Sequence, residues 1–597
     1  MQKRISIFYV LILSALSVAS HNAIRRNDVN MLILTSPELM TIADGYADWK
    51  RTMGFHVDII ADNWSDAVMV KNALDDIYNV KDIDYLLIVG NSTLVPAYRS
   101  TIYLNSGAYN GRFTYRSKNY THSTDYFYSI CPNDTNKRVK CGRIAVADSS
   151  AAITVFNKIK TFEENLPAPP DSSFYNTALH MAYYEDDAGP EKSLDDAIYY
   201  EDYRFVLTTE EIIDTLTMDT VNAISNFIRV YTGAETASSG NAHWNNTLYA
   251  QGGDVPASLN FHGTKQDVVD AINQGVLYAM YYDHGNADCW ASANITKDDI
   301  NNLSNRCKLP IVFCCCCNNF CGLSDNTFAE KFLENPDGGA AGVVASSDYI
   351  MTGLMDVFIE RAFNAMWPHE DFYPILGVEL QNRVETDSMI CRPAEDRLGD
   401  VVMRGLSDME SYFKNTVLNT NSPQSNTQRT PQDFLKFIQH MKEIMHVVGD
   451  PSMKLYTGVP HEIAEPIVTY GNDSIYISLS DGEAIVTLFN NDTKEVFSII
   501  GNHAVFPSSQ DVLTLSIHRK SSNVWTSQVE DLYLQDELFT DSNTFSARSI
   551  YMGRHVTDET PTGNVVFVEG SQTQLFTNKL VLAPGTIIEK GATFTNR

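Results

Sequence analysis

The 597-residue sequence predicts an α/β protein with two doubly wound parallel-sheet units, followed by a small antiparallel β-sandwich and a β-rich C-terminal module. Three observations predict this. Short apolar runs alternate with amphipathic stretches from about residue 29 to residue 456, the pattern of a parallel sheet with helices on its faces. After Pro460 the texture changes to polar–apolar alternation broken by Asn, Asp and Gly, which suits antiparallel strands. The final stretch holds very short β segments divided by Gly turns, the look of a stacked β module.

Taken in order, "VNMLILTSP" (29–37) is an apolar run closed by turn residues and reads as a buried strand. "ELMTIADGYADWKRTMG" reads as a helix stopped by Gly54. "FHVDII" is a second strand, "AVMVKNALDDIYNV" a helix, and "IDYLLIVG" a third strand ending at Gly90. "GRIAVAD" and the helical "SAAITVFNKIKTFEENL" close the first unit, and Pro-rich "PAPPDSS" (167–173) connects it to the next. The pattern resumes with the strand "NTALHMAYY" and the helices "LTTEEIIDTL" and "TKQDVVDAINQG". The strands "VLYAMYYDHG", "LPIVFCCCC" and "GGAAGVVASSD" follow, and the unit runs to "VVGDPSMKLY". The expected divisions are a signal peptide at 1–20, α/β regions at 28–166 and 174–458, a sandwich at 462–525 and the β-rich module at 526–597.

The N-terminus "MQKRISIFYVLILSALSVAS" carries Lys3 and Arg4 ahead of a short apolar run and small residues. That is a secretory signal, so the expected location is secreted, extracellular or at the cell surface. With 44 basic and 74 acidic residues the net charge is −30, which excludes the basic footprint of a nucleic-acid or anionic-membrane binder. No second apolar stretch has the length to span a membrane. Export permits disulfides, and Cys131 and Cys141, flanking "PNDTNKRVK", are one candidate pair.

Five of the ten cysteines stand in "PIVFCCCCNNFCG" (310–322), at 314–317 and 321. A zinc site needs convergent ligands, usually Cys pairs separated by two to four residues. Consecutive strand residues point to opposite faces, so this run does not wrap one ion. Cys314, Cys315 and Cys316 read as core, since free Cys is among the most buried residue types. Cys317 differs, because it ends the strand, and the carboxyl edge of a parallel sheet faces the ligand crevice.

The preceding strand, "YAMYYDHG", ends at that same edge with His284 and Gly285. His284 and Cys317 are 317 − 284 = 33 positions apart, room for one crossover helix. An imidazole beside a thiol activates the sulfur or protonates a leaving group. Gly285 leaves its backbone N–H open to donate to an oxyanion. His262-Gly263 precedes a helix rather than ending a strand and is set aside.

The combination "MYYDHGNADCWA", "KLPIVFCCCCNNF", "FAEKFL", "GGAAGVVASSD" and "VVGDPSMKLY" resembles the gingipain-type cysteine peptidases of the caspase-like clan. The resemblance runs from about residue 29 to about residue 525. It implies caspase-like α/β units and makes the following sandwich immunoglobulin-like. It further implies His284 as catalytic histidine, Cys317 rather than Cys316 as nucleophile, and backbone N–H groups of Gly285 and Cys317 as oxyanion hole. "AYYEDDAGPEKSLDDA" resembles the family segment that supplies two acids. Glu185 then orients His284, and Asp196 binds a basic substrate side chain, with Asp195 and Asp348 as rival substrate-binding acids. The cysteine run and the "NNF" that follows depart from the family pattern, and the chain leaves no room for the family's long pro-domain between signal and first strand. "APGTIIEKGATF" is similar to β modules on exported proteins of Bacteroidetes bacteria, which suggests attachment to the cell envelope.

The resulting expectation is a secreted cysteine endopeptidase acting on proteins or peptides through a thioester, after Arg or Lys. It needs no cofactor and no catalytic metal, while structural calcium remains compatible. Two rival readings are a transpeptidase that resolves the thioester with an amine, and a surface adhesive protein with a vestigial peptidase core.

Overall fold

The computed structural model describes residues 25–104, 118–134, 137–164, 173–184, 199–217, 224–233, 243–244, 253–254, 259–369, 392–415, 431–470, 474–507, 511–529, 531–557, 561–577 and 579–596. The expected signal peptide lies outside them.

The first α/β run comprises β1 (Val29–Thr35), α1 (Met40–Thr52), β2 (Phe55–Ala61), α2 (Ala67–Tyr78) and β3 (Tyr85–Val89). A hairpin of β4 (Tyr98–Leu104) and β5 (Lys118–Thr124) follows, then β6 (Lys140–Ile144) and α3 (Ser149–Glu164). The second run comprises β7 (Thr177–Tyr184), α4 (Tyr199–Thr217), β8 (Asn226–Gly233), α5 (Lys265–Gln274), β9 (Tyr278–Tyr282) and α6 (Lys297–Asn301). It continues through β10 (Ile311–Cys315), α7 (Phe328–Glu334), β11 (Gly342–Ser346), α8 (Thr352–Met366), α9 (Leu398–Phe413), α10 (Pro431–Ile444) and β12 (Met445–Val448).

Local chemistry sets several element ends. Asp66 caps α2 by accepting from the backbone N–H groups of Val68 and Met69, which satisfies two of the helix's orphan donors. Thr264 and Asp267 form a reciprocal capping box on α5. Gly54 and Gly275 close α1 and α5 with φ of +88° and +100°, conformations that glycine adopts without steric cost.

The two runs form one ten-stranded sheet in the order β2-β1-β3-β6-β12-β11-β10-β9-β7-β8. Every neighbouring pair is parallel except β11–β12. The separation implied by the Pro-rich connector is therefore bridged: β12, the last strand in sequence, lies between the halves. Side chains alternate faces. Met31 and Ile33 pack with α1 and α3, whereas Leu32 and Leu34 pack with Val70 and Leu74 of α2. A buried ion cluster pins α1 and α3 to the turn after β12, with Lys50 Nζ 2.7 Å from Asp450 Oδ2 and 3.0 Å from Glu163 Oε1.

Beyond Pro460, a five-stranded and a three-stranded antiparallel sheet share a core that includes Ile475, Val486, Phe506 and Ile517. Arg25–Arg26, ahead of β1, joins this five-stranded sheet by pairing with 499–500. The unit packs on the end of α1, where His518 Nε2 lies 2.9 Å from the Met53 carbonyl. The C-terminal module is a parallel β-solenoid of three coils. Strands 532–534, 549–552 and 579–582 stack on one side, and two further stacks of three strands form the others. Its interior holds Ile550, Met552, Val565, Phe567 and Leu575.

Cys131 and Cys141 do not form the disulfide that their spacing suggested. Both are free thiols, packed as apolar groups against the α2 side of the sheet.

Candidate active site

Strands β9 and β10 are parallel neighbours in a register that places Tyr281 beside Cys314 and Tyr282 beside Cys315. Both strands are buried throughout and both run out into polar loops at the same carboxyl edge. His284 lies two residues past Tyr282 and Cys317 two past Cys315, so both follow the paired strand ends at that edge. His284 is exposed and Cys317 half-buried, whereas Cys314, Cys315 and Cys316 are buried. The His284 ring meets Phe205 of α4 edge-on at 5.6 Å.

Burial pushes the Cys317 thiol up to about 11. A backbone hydrogen bond at Ile350 acts against that rise, and Asp348 adds to it. The sulfur is thus a neutral thiol at pH 7 and needs a base to become a nucleophile.

Gly285 approaches the other loop closely. A Cβ there would lie 2.7 Å from Cys316 Sγ and 3.0 Å from Cys316 Cβ. Cys316 in turn donates its S–H to Asn319 Oδ1 at 2.8 Å. Asn319 fastens the two loops together. Its Oδ1 accepts from Trp290 Nε1 at 2.9 Å, and its Nδ2 donates to the Asn286 carbonyl. Asp283, buried beside His284, accepts from the His284 N–H, from Ser292 Oγ and from Tyr281 Oη at 2.9 Å. Burial raises its carboxyl above the usual range. Ser346 Oγ donates to the Cys316 carbonyl at 2.7 Å and accepts from the Asn318 N–H at 3.0 Å. Asn318 adopts φ +60°, so the chain turns sharply just past Cys317.

Of the residues expected from sequence, the fold brings His284, Gly285 and Cys317 to one edge. Glu185, Asp195 and Asp196 lie outside the described residues. Asp348 is buried and faces His122 and His440. Asp283, Asn319 and Ser346 were missed. The signals were an acid directly before the histidine and a second asparagine after the cysteine run, both of which read as loop polarity. The cysteine run does not converge: Cys314 meets the Trp290 indole, while Cys315 lies toward Asp356.

A model of peptidase family C25 matches residues 24–456, most of the chain. The chain belongs to peptidase family C25. Among its relatives, Gingipain R2 of Porphyromonas gingivalis is 22% identical over 335 residues, covering 53% of this chain and 39% of the relative. Gingipain R1 of Porphyromonas gingivalis is 23% identical over 237 residues, covering 38% of this chain and 20% of the relative. The chain thus spans well under half the length of these curated relatives. Among solved structures, the Arg-specific cysteine proteinase gingipain R (RgpB) superposes with a TM-score of 0.57 at 18% identity, over 84% of this chain and 97% of that one. The complex of Porphyromonas gingivalis RgpB pro- and mature domains gives 0.56 at 17% identity, over 84% and 99%. This C25 member shares the gingipain α/β fold with its β-rich C-terminal region. Among the described residues, no helix is long and apolar enough to cross a membrane.

Proposed function

We propose that this chain is an exported cysteine endopeptidase that cleaves after a basic residue through a Cys317–His284 dyad. The observation that supports it best is the β9–β10 register, which delivers an imidazole and a thiol to the same sheet edge at the same level. Membership of family C25 supports the reaction class.

The chemistry follows from the groups present. His284 takes the Cys317 proton as the sulfur attacks the scissile carbonyl carbon. The carbonyl electrons move onto oxygen, where the N–H groups of Gly285 and Cys317 stabilise the charge. Collapse breaks the C–N bond, and His284 returns its proton to the leaving amine. A water, deprotonated by His284, then opens the thioester and frees the thiol. No cofactor enters these steps, and structural calcium is compatible with them. Glu185 is the proposed orienting acid for His284 and Asp196 the proposed acid for an Arg or Lys side chain. In this reading the α/β halves are doubly wound caspase-like units, the sandwich is immunoglobulin-like, residues 1–20 direct export, and the C-terminal module serves the cell envelope.

A specific observation favours a second assignment of the nucleophile. Cys316 Sγ, not Cys317 Sγ, is the sulfur against Gly285. Cys317 is preferred because it is partly open to solvent, whereas Cys316 is fully buried and hydrogen-bonded to Asn319.

The test is a panel of peptides differing only at the residue before the scissile bond, assayed with and without an added amine. Cleavage confined to Arg or Lys supports the reading. Ligated products in the amine arm identify a transpeptidase instead. No turnover of any peptide, with no adduct from a peptidyl chloromethyl ketone, leaves an adhesive protein with a vestigial core.

A further inference from the structure

Three segments far apart in sequence bring metal-type ligands together beneath the turn that follows Cys317. His122 lies on β5, Asp348 follows β11, and His440 lies on α10; all three are buried. Asp348 Oδ2 is 3.7 Å from His122 Nδ1 and 3.8 Å from His440 Nε2, and the three ligand atoms lie within 4.8 Å of one another. Two ligands at zinc's bond lengths of about 2.0–2.2 Å sit roughly 3.4 Å apart around a tetrahedral ion. A shift of a few tenths of an ångström brings the two edges at Asp348 to that spacing, and the third, between the two imidazole nitrogens, is within 4.8 Å.

The hydrogen bonding around His122 points the same way. Its Nε2 lies 3.0 Å from Glu443 Oε2. An ionised carboxylate only accepts, so Nε2 carries the hydrogen and a neutral ring presents a lone pair at Nδ1. That Nδ1 is buried without a hydrogen-bond partner among the described residues, and it faces a carboxylate oxygen. Two acceptors face each other, and a cation between them removes the conflict. Glu443 then does what outer carboxylates do for metal-bound histidines, fixing the tautomer and the ring orientation. His440 Nδ1 is likewise buried without a hydrogen-bond partner among the described residues. Without metal its Nε2 donates to the Tyr349 carbonyl at 3.2 Å; ligation moves that hydrogen to Nδ1.

We propose that His122, Asp348 and His440 hold one divalent cation of the zinc class, a structural site separate from the thiol chemistry. Two imidazoles and one carboxylate suit zinc better than calcium, which takes oxygen ligands. The ion would tie the β4–β5 hairpin and α10 to the loop at Asp348. The Asp348 carbonyl accepts from the Asn318 N–H at 3.1 Å, so the site sits one hydrogen bond from the Cys317 turn. This role removes Asp348 from the substrate-binding acids and leaves Asp196 as the proposed one.

The test is metal content of the full-length protein, prepared with Zn2+ and no chelator and then dialysed. The cysteines bind zinc themselves, so the reading is the difference between variants. Wild type and Cys317→Ala should carry one more equivalent per chain than His122→Gln and Asp348→Asn. If those variants do not fold, chelator-stripped wild type with alkylated cysteines is titrated with Zn2+, and the melting temperature should rise by several degrees as one equivalent binds. Equal metal in all four proteins, or a stripped wild type whose melting temperature ignores Zn2+, overturns the proposal.

Discussion

A Cβ added to Gly285 would lie 2.7 Å from Cys316 Sγ, so the residue after His284 rests directly on the sulfur that precedes Cys317. The φ of Gly285 is not in the left-handed region, which makes the requirement for glycine one of space. The histidine loop reaches its position because one side chain is missing.

Gly285→Ala should therefore overpack the site, at a cost of about 1–3 kcal/mol in stability. Its kcat/KM should fall at least roughly tenfold, since a misplacement near 1 Å costs about 100-fold. The revealing measurement is the double variant. Gly285→Ala with Cys316→Gly removes the sulfur that the methyl meets, so the two effects should be non-additive, with activity partly restored. Additive losses would show that Gly285 matters for another reason.

Cys317→Ala should lower kcat by on the order of 10⁴-fold or more, as loss of a covalent nucleophile does. Cys316→Ala should cost less than about tenfold. Active-site titration with a chloromethyl ketone, followed by peptide mapping of the adduct, separates the two sulfurs. An adduct on Cys316, with the activity pattern reversed, would move the nucleophile one residue and make Gly285 its immediate neighbour.

The pH dependence of alkylation follows from burial of Cys317. A folded value of about 11, with burial as the main cause, lies above the unperturbed 8.5 of a free thiol. Between pH 7 and pH 10 the thiolate fraction rises about tenfold per unit, and the iodoacetamide rate at Cys317 should rise with it. A rate already level at pH 7 would instead reveal a thiolate–imidazolium pair in the resting protein.

Asn319→Leu keeps the volume and removes the hydrogen bonds that join the two loops. It leaves the buried Trp290 indole N–H unpaired, at about 1–3 kcal/mol, and removes the bond to the Asn286 carbonyl. The melting temperature should drop, and kcat/KM should fall at least roughly tenfold as the His284 loop drifts from the Cys317 turn. Trp290 fluorescence offers an independent readout, because its indole loses its acceptor. Unchanged emission and unchanged activity would mean that the loops hold their places without this residue.

The sequence by itself determined much of this molecule, because the determinants are local. Continuous apolar runs closed by turn residues mark β1, β3, β9 and β10, and the amphipathic stretches between them mark the crossover helices. Residues that end two neighbouring parallel strands emerge at one edge, so the placement of His284 and Cys317 at a common edge was legible. Tertiary structure alone decided what depends on lateral neighbours. A strand's own residues carry its burial but not the identity of the strand beside it, and β12 reads as the tail of one unit while pairing with β6 of the other. The same holds for the polar residues of the site. Asn319 and Trp290 are 29 positions apart, and Asp348 and His122 226. Each looks like ordinary loop or strand polarity until the chain closes around it. Between Cys316 and Cys317 the sequence already favours Cys317, which stands at the end of the apolar run. The burial of Cys316 and its contact with the bare Cα of Gly285 exist only once β9 and β10 lie side by side.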